Sequence, residues 1–230
     1  MRPSALFVDC YGTLVAGDRP AIEAAVANVV RRTGLDGQVL DRAWWQRFRQ
    51  LCAASSGDSF ETQRALELRA MADVLRDLGV EVPPAELTVL LEPLFRYWRT
   101  ARPLPDALAF LRRWRLCPVV IVSNSDRLDL EQVLAGLPGV DAAVTSEDAR
   151  AYKPDPSVFR HALALTGLAP ERVVHVGDSW ESDVAGALSA GITPVWVSRE
   201  GVGPSGDVAR IASFDELPEC LARLPVRGVS

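Results

Sequence analysis

Cysteine and histidine are scarce in this chain: four cysteines and two histidines in 230 residues. Cys10, Cys52, Cys117 and Cys220 are scattered and form no CxxC pair. Without a secretory signal they read as reduced, buried small residues rather than a disulfide framework. Long hydrophobic runs are also missing. No segment approaches the ~20 apolar residues that would span a bilayer. The apolar run nearest the start is cut by Asp9, so no signal peptide is expected. Blocks of one charge are absent too. Basic and acidic residues are interspersed around a formal net charge of −5, which argues against nucleic acid or an anionic membrane as partner. There is no internal repeat and no low-complexity tract. What is present is ordinary globular material, 48% hydrophobic and 24% charged, enough for a real core in one or two domains. The expectation is a soluble cytoplasmic protein.

The order of elements is more informative. Ala5–Cys10 reads as a strand. Helical patterns follow at about Ala21–Arg32, Leu40–Ala54, Phe60–Leu78 and Ala85–Arg99, with Leu66, Met71, Val74 and Leu78 on one face. Gly57-Asp58 and Val82-Pro83-Pro84 punctuate the series. From Leu104 the rhythm changes. A helix at Leu104–Arg115 leads to a strand, Pro118–Ser123, and a helix near Leu128–Ala135. Strand Ala142–Thr145, helix Ser157–Thr166, strand Val173–Val176, helix Ser182–Ala190 and strand Pro194–Val197 follow, with one short helix near Phe214–Leu221 in the tail. Alternating strands and helices predict a doubly wound α/β fold, a parallel sheet covered on both faces. The helical run interrupts it. The expected division is an α/β core of residues 1–16 and 101–230 with an all-helical insert at 17–100.

Each expected core strand ends in polar residues. The first ends at Asp9 and Thr13, the second at Ser123-Asn124-Ser125. Tyr152-Lys153-Pro154-Asp155-Pro156 follows the third. Gly177-Asp178-Ser179 follows the fourth, with Asp183 five residues past Asp178. Parallel strands gather their C-terminal ends, so these groups are expected in one crevice. Three carboxylates, Asp9, Asp178 and Asp183, would face one ammonium, Lys153. Such an excess of negative charge needs a cation. An all-oxygen donor set selects a hard one, usually Mg²⁺. His175 lies inside a strand and reads as a core residue rather than a ligand.

The four motifs and their order, Asp9 to Thr13, Ser123, Lys153 and Asp178 to Asp183, resemble the haloacid dehalogenase superfamily of aspartate-nucleophile hydrolases, from Phe7 to about Val197. The resemblance implies that Asp9 is the nucleophile, that Thr13 and Ser123 fix the substrate's anionic group, and that Lys153 offsets charge on the nucleophile. It also implies that Mg²⁺ is held by Asp9, Asp178, the backbone carbonyl of Tyr11 and Asp183, the last directly or through water. The insert resembles the family's type 1 cap. An aspartate nucleophile needs screening of charge repulsion, which a metal and Lys153 supply. The expected substrate is a small anionic, phosphorylated metabolite. The chain is expected to work as a monomer or a homodimer.

One position departs from the phosphatases of that family. They carry a second Asp two residues after the nucleophile, to protonate the leaving group and activate water. Here it is Tyr11, as in the dehalogenases proper, whose halide needs no proton. The metal-type turn at Asp178 and Asp183, and Phe159 six residues past Lys153, point the other way. The expectation is therefore a Mg²⁺-dependent phosphatase. The alternatives are a carbon–halogen hydrolase and a catalytically weak binding protein that keeps the fold.

The remaining residues divide between chemistry and packing. Asn124 either contacts substrate or orders its turn. Asp155 and Pro156 read as a helix cap and first helical position. Arg47 is a candidate anion contact, its other reading being a solvated face. Most of Trp44, Trp45, Phe48, Tyr97 and Trp98 are expected in the core of the insert. Cys10 is expected to face away from Asp9. Gly201 to Gly206 matches GxGxxG but follows the last main strand and holds Pro204, so it reads as a loop.

Overall fold

The computed structural model describes residues 2–201 and 207–224. Six strands form one parallel sheet: β1 (Ala5–Val8), β2 (Val119–Ser123), β3 (Ala142–Thr145), β4 (Val173–Gly177), β5 (Thr193–Val197) and β6 (Ala209–Ile211), in the order β3-β2-β1-β4-β5-β6. The inner strands are continuous runs of buried Val, Ile, Leu and Ala, as a sheet covered on both faces requires. β1 lies in the middle, between β2 and β4. The strand order therefore reverses beside it, which opens a crevice at the C-terminal ends of these three strands. Asp9 extends β1 by one more ladder bond, donating its N–H to the Val176 carbonyl at 2.9 Å.

Between β1 and β2 run α1 (Arg19–Thr33), α2 (Gly37–Ala54), α3 (Gln63–Asp77), α4 (Pro84–Leu90), α5 (Glu92–Thr100) and α6 (Pro105–Arg113). α1 to α5 enclose an apolar core of their own, with Leu40, Trp44, Met71, Leu75, Leu91 and Phe95 at its centre. The sheet carries two others, one on each face. α7 (Arg127–Leu134), α8 (Ser146–Ala149), α9 (Pro156–Thr166), α10 (Gly186–Ser189) and α11 (Leu217–Arg223) complete the chain.

Several boundaries differ from the sequence expectation, each for a local reason. The helix expected over Ala85–Arg99 breaks at Leu91 into α4 and α5. Pro93 has no N–H to give and its ring collides with the carbonyl four residues back. α2 starts three residues early, because the Asp36 carboxylate accepts the N–H groups of Gln38 and Val39 at 2.9 Å. α3 starts at Gln63 rather than Phe60. The helix expected over Ser182–Ala190 is a π-helical turn, Trp180–Ala185, running into α10. The short β6 and α8 were not expected. Asp155 caps α9 through the Ser157 N–H, with Pro156 in its first turn, as expected. Of the GxGxxG run, residues 202–206 lie outside the described residues.

Candidate active site

The turn after β1 fixes the first carboxylate. Gly12 takes φ +89°, and a Cβ there would lie 2.5 Å from the Asp178 carboxylate, so glycine is needed both for the turn and for the approach. The turn closes on Cys10, whose carbonyl accepts the N–H groups of Leu14 and Val15. Cys10 itself faces the apolar side of the sheet, away from Asp9.

Lys153 ties the crevice together. It is buried, and its ammonium donates three hydrogen bonds: to Asp9 Oδ1 at 2.7 Å, to Asp183 Oδ1 at 2.6 Å and to the Val122 carbonyl at 2.9 Å. Asn124 sets the lysine's backbone. Its Nδ2 donates to the Lys153 carbonyl at 3.0 Å and its Oδ1 accepts the Lys153 N–H at 2.7 Å. These contacts order the turn, and Asn124 also lines the cavity described below. Asp183 also meets His175 Nε2 at 3.0 Å, and its Oδ2 accepts the Ser179 N–H at 3.0 Å. His175 is thus a core residue of β4 with one polar contact, on a carboxylate of the site.

Asp9, Asp178 and Asp183 each offer an oxygen, and the three oxygens lie within 4.8 Å of one another. Their titration reflects that crowding. Burial pushes Asp9 up, against the pull of Lys153. Asp178 presents its side chain to solvent, yet the surrounding protein and the charges of Asp9 and Asp183 push its carboxyl up to about 7. Burial would also raise Asp183, but Lys153 and His175 outweigh it and hold that carboxyl well below the usual range. The same two carboxylates hold the Lys153 ammonium above its ordinary value despite burial.

The other expected site residues fall as follows. Thr13 is buried, and its hydroxyl is committed to Asp178: it donates to Oδ1 at 2.9 Å and accepts the Asp178 N–H at 3.1 Å. Ser123 is buried at the end of β2 and its hydroxyl has no partner. The Tyr11 hydroxyl donates to the Trp98 carbonyl on α5 at 2.6 Å, and its ring lies 5.9 Å from that of Tyr97. Burial raises the Tyr11 phenol above its ordinary value. Arg47 is not brought to the site. Its guanidinium bridges Asp73 and Asp77 on α3, at 3.2 and 2.7 Å. The adjacent turn of α2 presents Arg49 instead, bound by Glu181 of the π-helical turn at 2.5 Å. Sequence alone gives no means of phasing α2 against a crevice built from other parts of the chain.

Arg49 lines a cavity of about 770 Å³ that runs along α2 past Trp45 and Phe48 to Tyr152, Lys153 and Ser179. The insert is fastened to the core beside it. Asp126 accepts the Gln63 and Arg64 N–H groups at 2.6 and 3.1 Å, capping α3 from another part of the chain. The Arg64 guanidinium binds both oxygens of buried Asp129 at 2.9 Å and sits 4.3 Å over the Phe95 ring. Sequence reasoning missed this cluster. Its only local sign was two acids just past Ser123-Asn124-Ser125.

Comparison with known proteins bears on the family and the fold. Residues 3–191 match the model of the haloacid dehalogenase-like hydrolase family. The chain is 37% identical to phosphoserine phosphatase of Thermus thermophilus over 136 residues, which are 57% of this chain and 54% of that protein. It spans about half the length, or less, of the curated relatives it matches. The fold superposes on L-2-haloacid dehalogenase from Xanthobacter autotrophicus with a TM-score of 0.74 at 18% identity, over 97% of this chain and 100% of that one. On the magnesium-bound structure of YfnB from Bacillus subtilis the TM-score is 0.75 at 18% identity, over 96% and 100%. With the family model covering most of the chain, and the parallel sheet and its strand-end carboxylates in place, this protein belongs to the haloacid dehalogenase-like hydrolases.

Proposed function

We propose that this hydrolase is a Mg²⁺-dependent phosphatase that acts on a small phosphorylated metabolite through an aspartyl-phosphate on Asp9, with the helical insert as its cap. The observation that carries the reading is the convergence of Asp9, Asp178 and Asp183 on one region with a single ammonium among them. Two excess negative charges there fit a divalent cation, and carboxylate oxygens fit a hard one. Asp9 and Asp178 are the carboxylates best placed to bind it. Asp183 has both oxygens engaged by Lys153, His175 and Ser179, and suits a supporting role through water. When bound, the cation would screen the repulsion between the phosphoryl group and the nucleophile.

The chain's own residues supply the rest. Lys153 holds one oxygen of Asp9, and no described residue donates to the other. That free oxygen attacks phosphorus while the bond to the leaving oxygen breaks. Water then hydrolyses the aspartyl-phosphate and frees inorganic phosphate. Ser123 carries a buried hydroxyl without a partner, suited to donate to a phosphoryl oxygen.

Tyr11 favours a second reading, a carbon–halogen hydrolase working without metal, because its phenol is spent on the Trp98 carbonyl. Parallel assays of phosphate and halide release, with and without Mg²⁺, separate the two. The expected result is Mg²⁺-dependent phosphate release that Asp9→Asn abolishes in a folded protein. Halide release indifferent to chelator would overturn the phosphatase reading. Silence in both assays would leave a binding role.

A further inference from the structure

We infer that the substrate's leaving group is an aromatic alcohol, an aryl group seated against Trp45 that departs as its anion. The inference rests on the phosphatase reading above and adds the chemical class of what is cleaved.

Two independent observations lead there. The first concerns protons. Tyr11, two residues past Asp9, holds its proton on the Trp98 carbonyl at 2.6 Å. Among the described residues lining the cavity none replaces it, and Asp178, beside the cavity, is committed to the cation in the reading above. Among the residues lining the cavity, Glu181 is the one carboxylic acid, and Arg49 binds both of its oxygens at 2.5 Å. Lys153 has spent its three protons on Asp9, Asp183 and Val122. A leaving oxygen here must depart with the P–O electron pair and find its proton in water afterwards. Phenolates do this readily; alkoxides do not.

The second observation concerns the wall. α2 carries adjacent tryptophans with opposite fates. Trp44 is buried in the insert, and its indole N–H donates to the Glu67 carbonyl. Trp45 is 57% exposed, and among the described residues it is the only aromatic in the set of exposed large hydrophobics. It lines the cavity with Phe48, 6.3 Å away between ring centres, and with Tyr152. Tyr152 is itself fixed by stacking on Phe60 and by donating to the Glu61 carbonyl. A cavity of about 770 Å³ is within the ordinary range for a small molecule. Its aromatic lining favours a flat ring.

The test uses the intact protein in saturating Mg²⁺, with phenyl phosphates bearing graded ring substituents, glycerol 3-phosphate as an alkyl ester, and acetyl phosphate as a ringless ester with a good leaving group. We expect kcat/KM to fall steadily as the leaving group becomes more basic, with the alkyl ester at least ~10²-fold below phenyl phosphate. Tyr11→Phe should leave that slope unchanged. Tyr11→Asp should flatten it by raising the alkyl rate. Trp45→Ala should raise KM for phenyl phosphate about three- to tenfold, with kcat and the acetyl phosphate kinetics little altered, and Trp45→Phe should restore it. An alkyl ester as fast as the aryl one, or a Trp45→Ala effect equal on both ester types, would overturn the inference. Turnover of acetyl phosphate but no aryl phosphate would leave the phosphatase reading standing and remove the aryl group. Phosphate from none of them would remove both.

Discussion

Replacing Lys153 with methionine tests whether the crevice is held by charge. The side chains are of similar length, so packing is nearly conserved. The ammonium's three acceptors are not: Asp9, Asp183 and the Val122 carbonyl all lose their donor. Breaking a buried pair by removing one partner costs about 3–5 kcal/mol. Against a total stability of roughly 5–15 kcal/mol, the variant should still fold. For a chain of this size it should melt about 6–20 °C lower. The sign of the pH dependence identifies the cause. In the wild type Lys153 helps hold Asp183 below the usual carboxylate range. A depressed carboxyl contributes stability that is present above its unfolded pKa and lost as pH falls through the folded one. Without the lysine, Asp9 and Asp183 would take up protons at higher pH. The gap between variant and wild type should therefore be widest near pH 8 and narrow towards pH 4. The assay is calorimetric melting of both forms across that range, in chelator so that no metal substitutes for the ammonium. A gap of the same size at every pH would mean that shape, not charge, is what Lys153 supplies, and would refute the electrostatic account of the site.

The remaining predictions concern the metal, the seam and the core of the insert. Asp178→Asn should weaken Mg²⁺ binding at least tenfold by calorimetric titration, with excess metal restoring part of the rate; unchanged affinity would remove Asp178 from the donor set. Arg64→Ala strands the buried Asp129 carboxylate and should lower Tm by about 4–10 °C, given roughly 2–3 kcal/mol for a half-buried pair, while raising KM; an unchanged melt would show that the insert is fastened elsewhere. Burial holds the Glu67 carboxyl well above its ordinary value, so its folded form keeps a proton that the unfolded chain has lost. Stability from it is present at acid pH and declines as pH rises. Glu67→Gln should therefore raise Tm by about 2 °C or more at pH 8 and make no difference at pH 4; a variant destabilised at both would contradict the neutral-carboxyl reading.

The sequence made the sheet legible because buried parallel strands are continuous apolar runs, and β1, β2 and β4 each lead into a residue of the candidate site. Asp9, Ser123 and Asp178 could be placed together for that reason, with Lys153 beyond β3 and Asp183 in the turn after β4. The insert was legible as helices but not as surfaces. Trp44 and Trp45 are neighbours of the same type, one buried and one facing the cavity. Arg47 and Arg49 are two residues apart and bind partners on different elements. Helical phase relative to a distant crevice is set by tertiary docking, which periodicity within α2 does not encode. The break at Leu91 was readable in principle, since Pro93 announces it. β6 was not, being three residues long beyond a Gly-rich stretch of sequence.

The segment from Ser123 to Asp129 bears on what Tyr11 contributes. Within seven residues it carries the partnerless hydroxyl of Ser123, the Asn124 amide that sets Lys153, and the two carboxylates that hold α3. The loop that carries the hydroxyl proposed to meet the substrate's anion is thus also the loop that seats the insert. Tyr11 joins the same seam from the other side, through the carbonyl of Trp98, whose ring lies 6.0 Å from the Arg64 guanidinium. An aspartate at position 11 would be too short to make that bond and would add a fourth carboxylate beside Asp9, Asp178 and Asp183. The tyrosine contributes to docking and removes the repulsion. What it gives up is a proton for the leaving group, worth about 10²–10⁴-fold on substrates that need one. On a substrate whose leaving group is stable as an anion the loss costs little. On the proposed reading, the contact that fastens the insert and the class of ester cleaved both follow from having tyrosine at position 11.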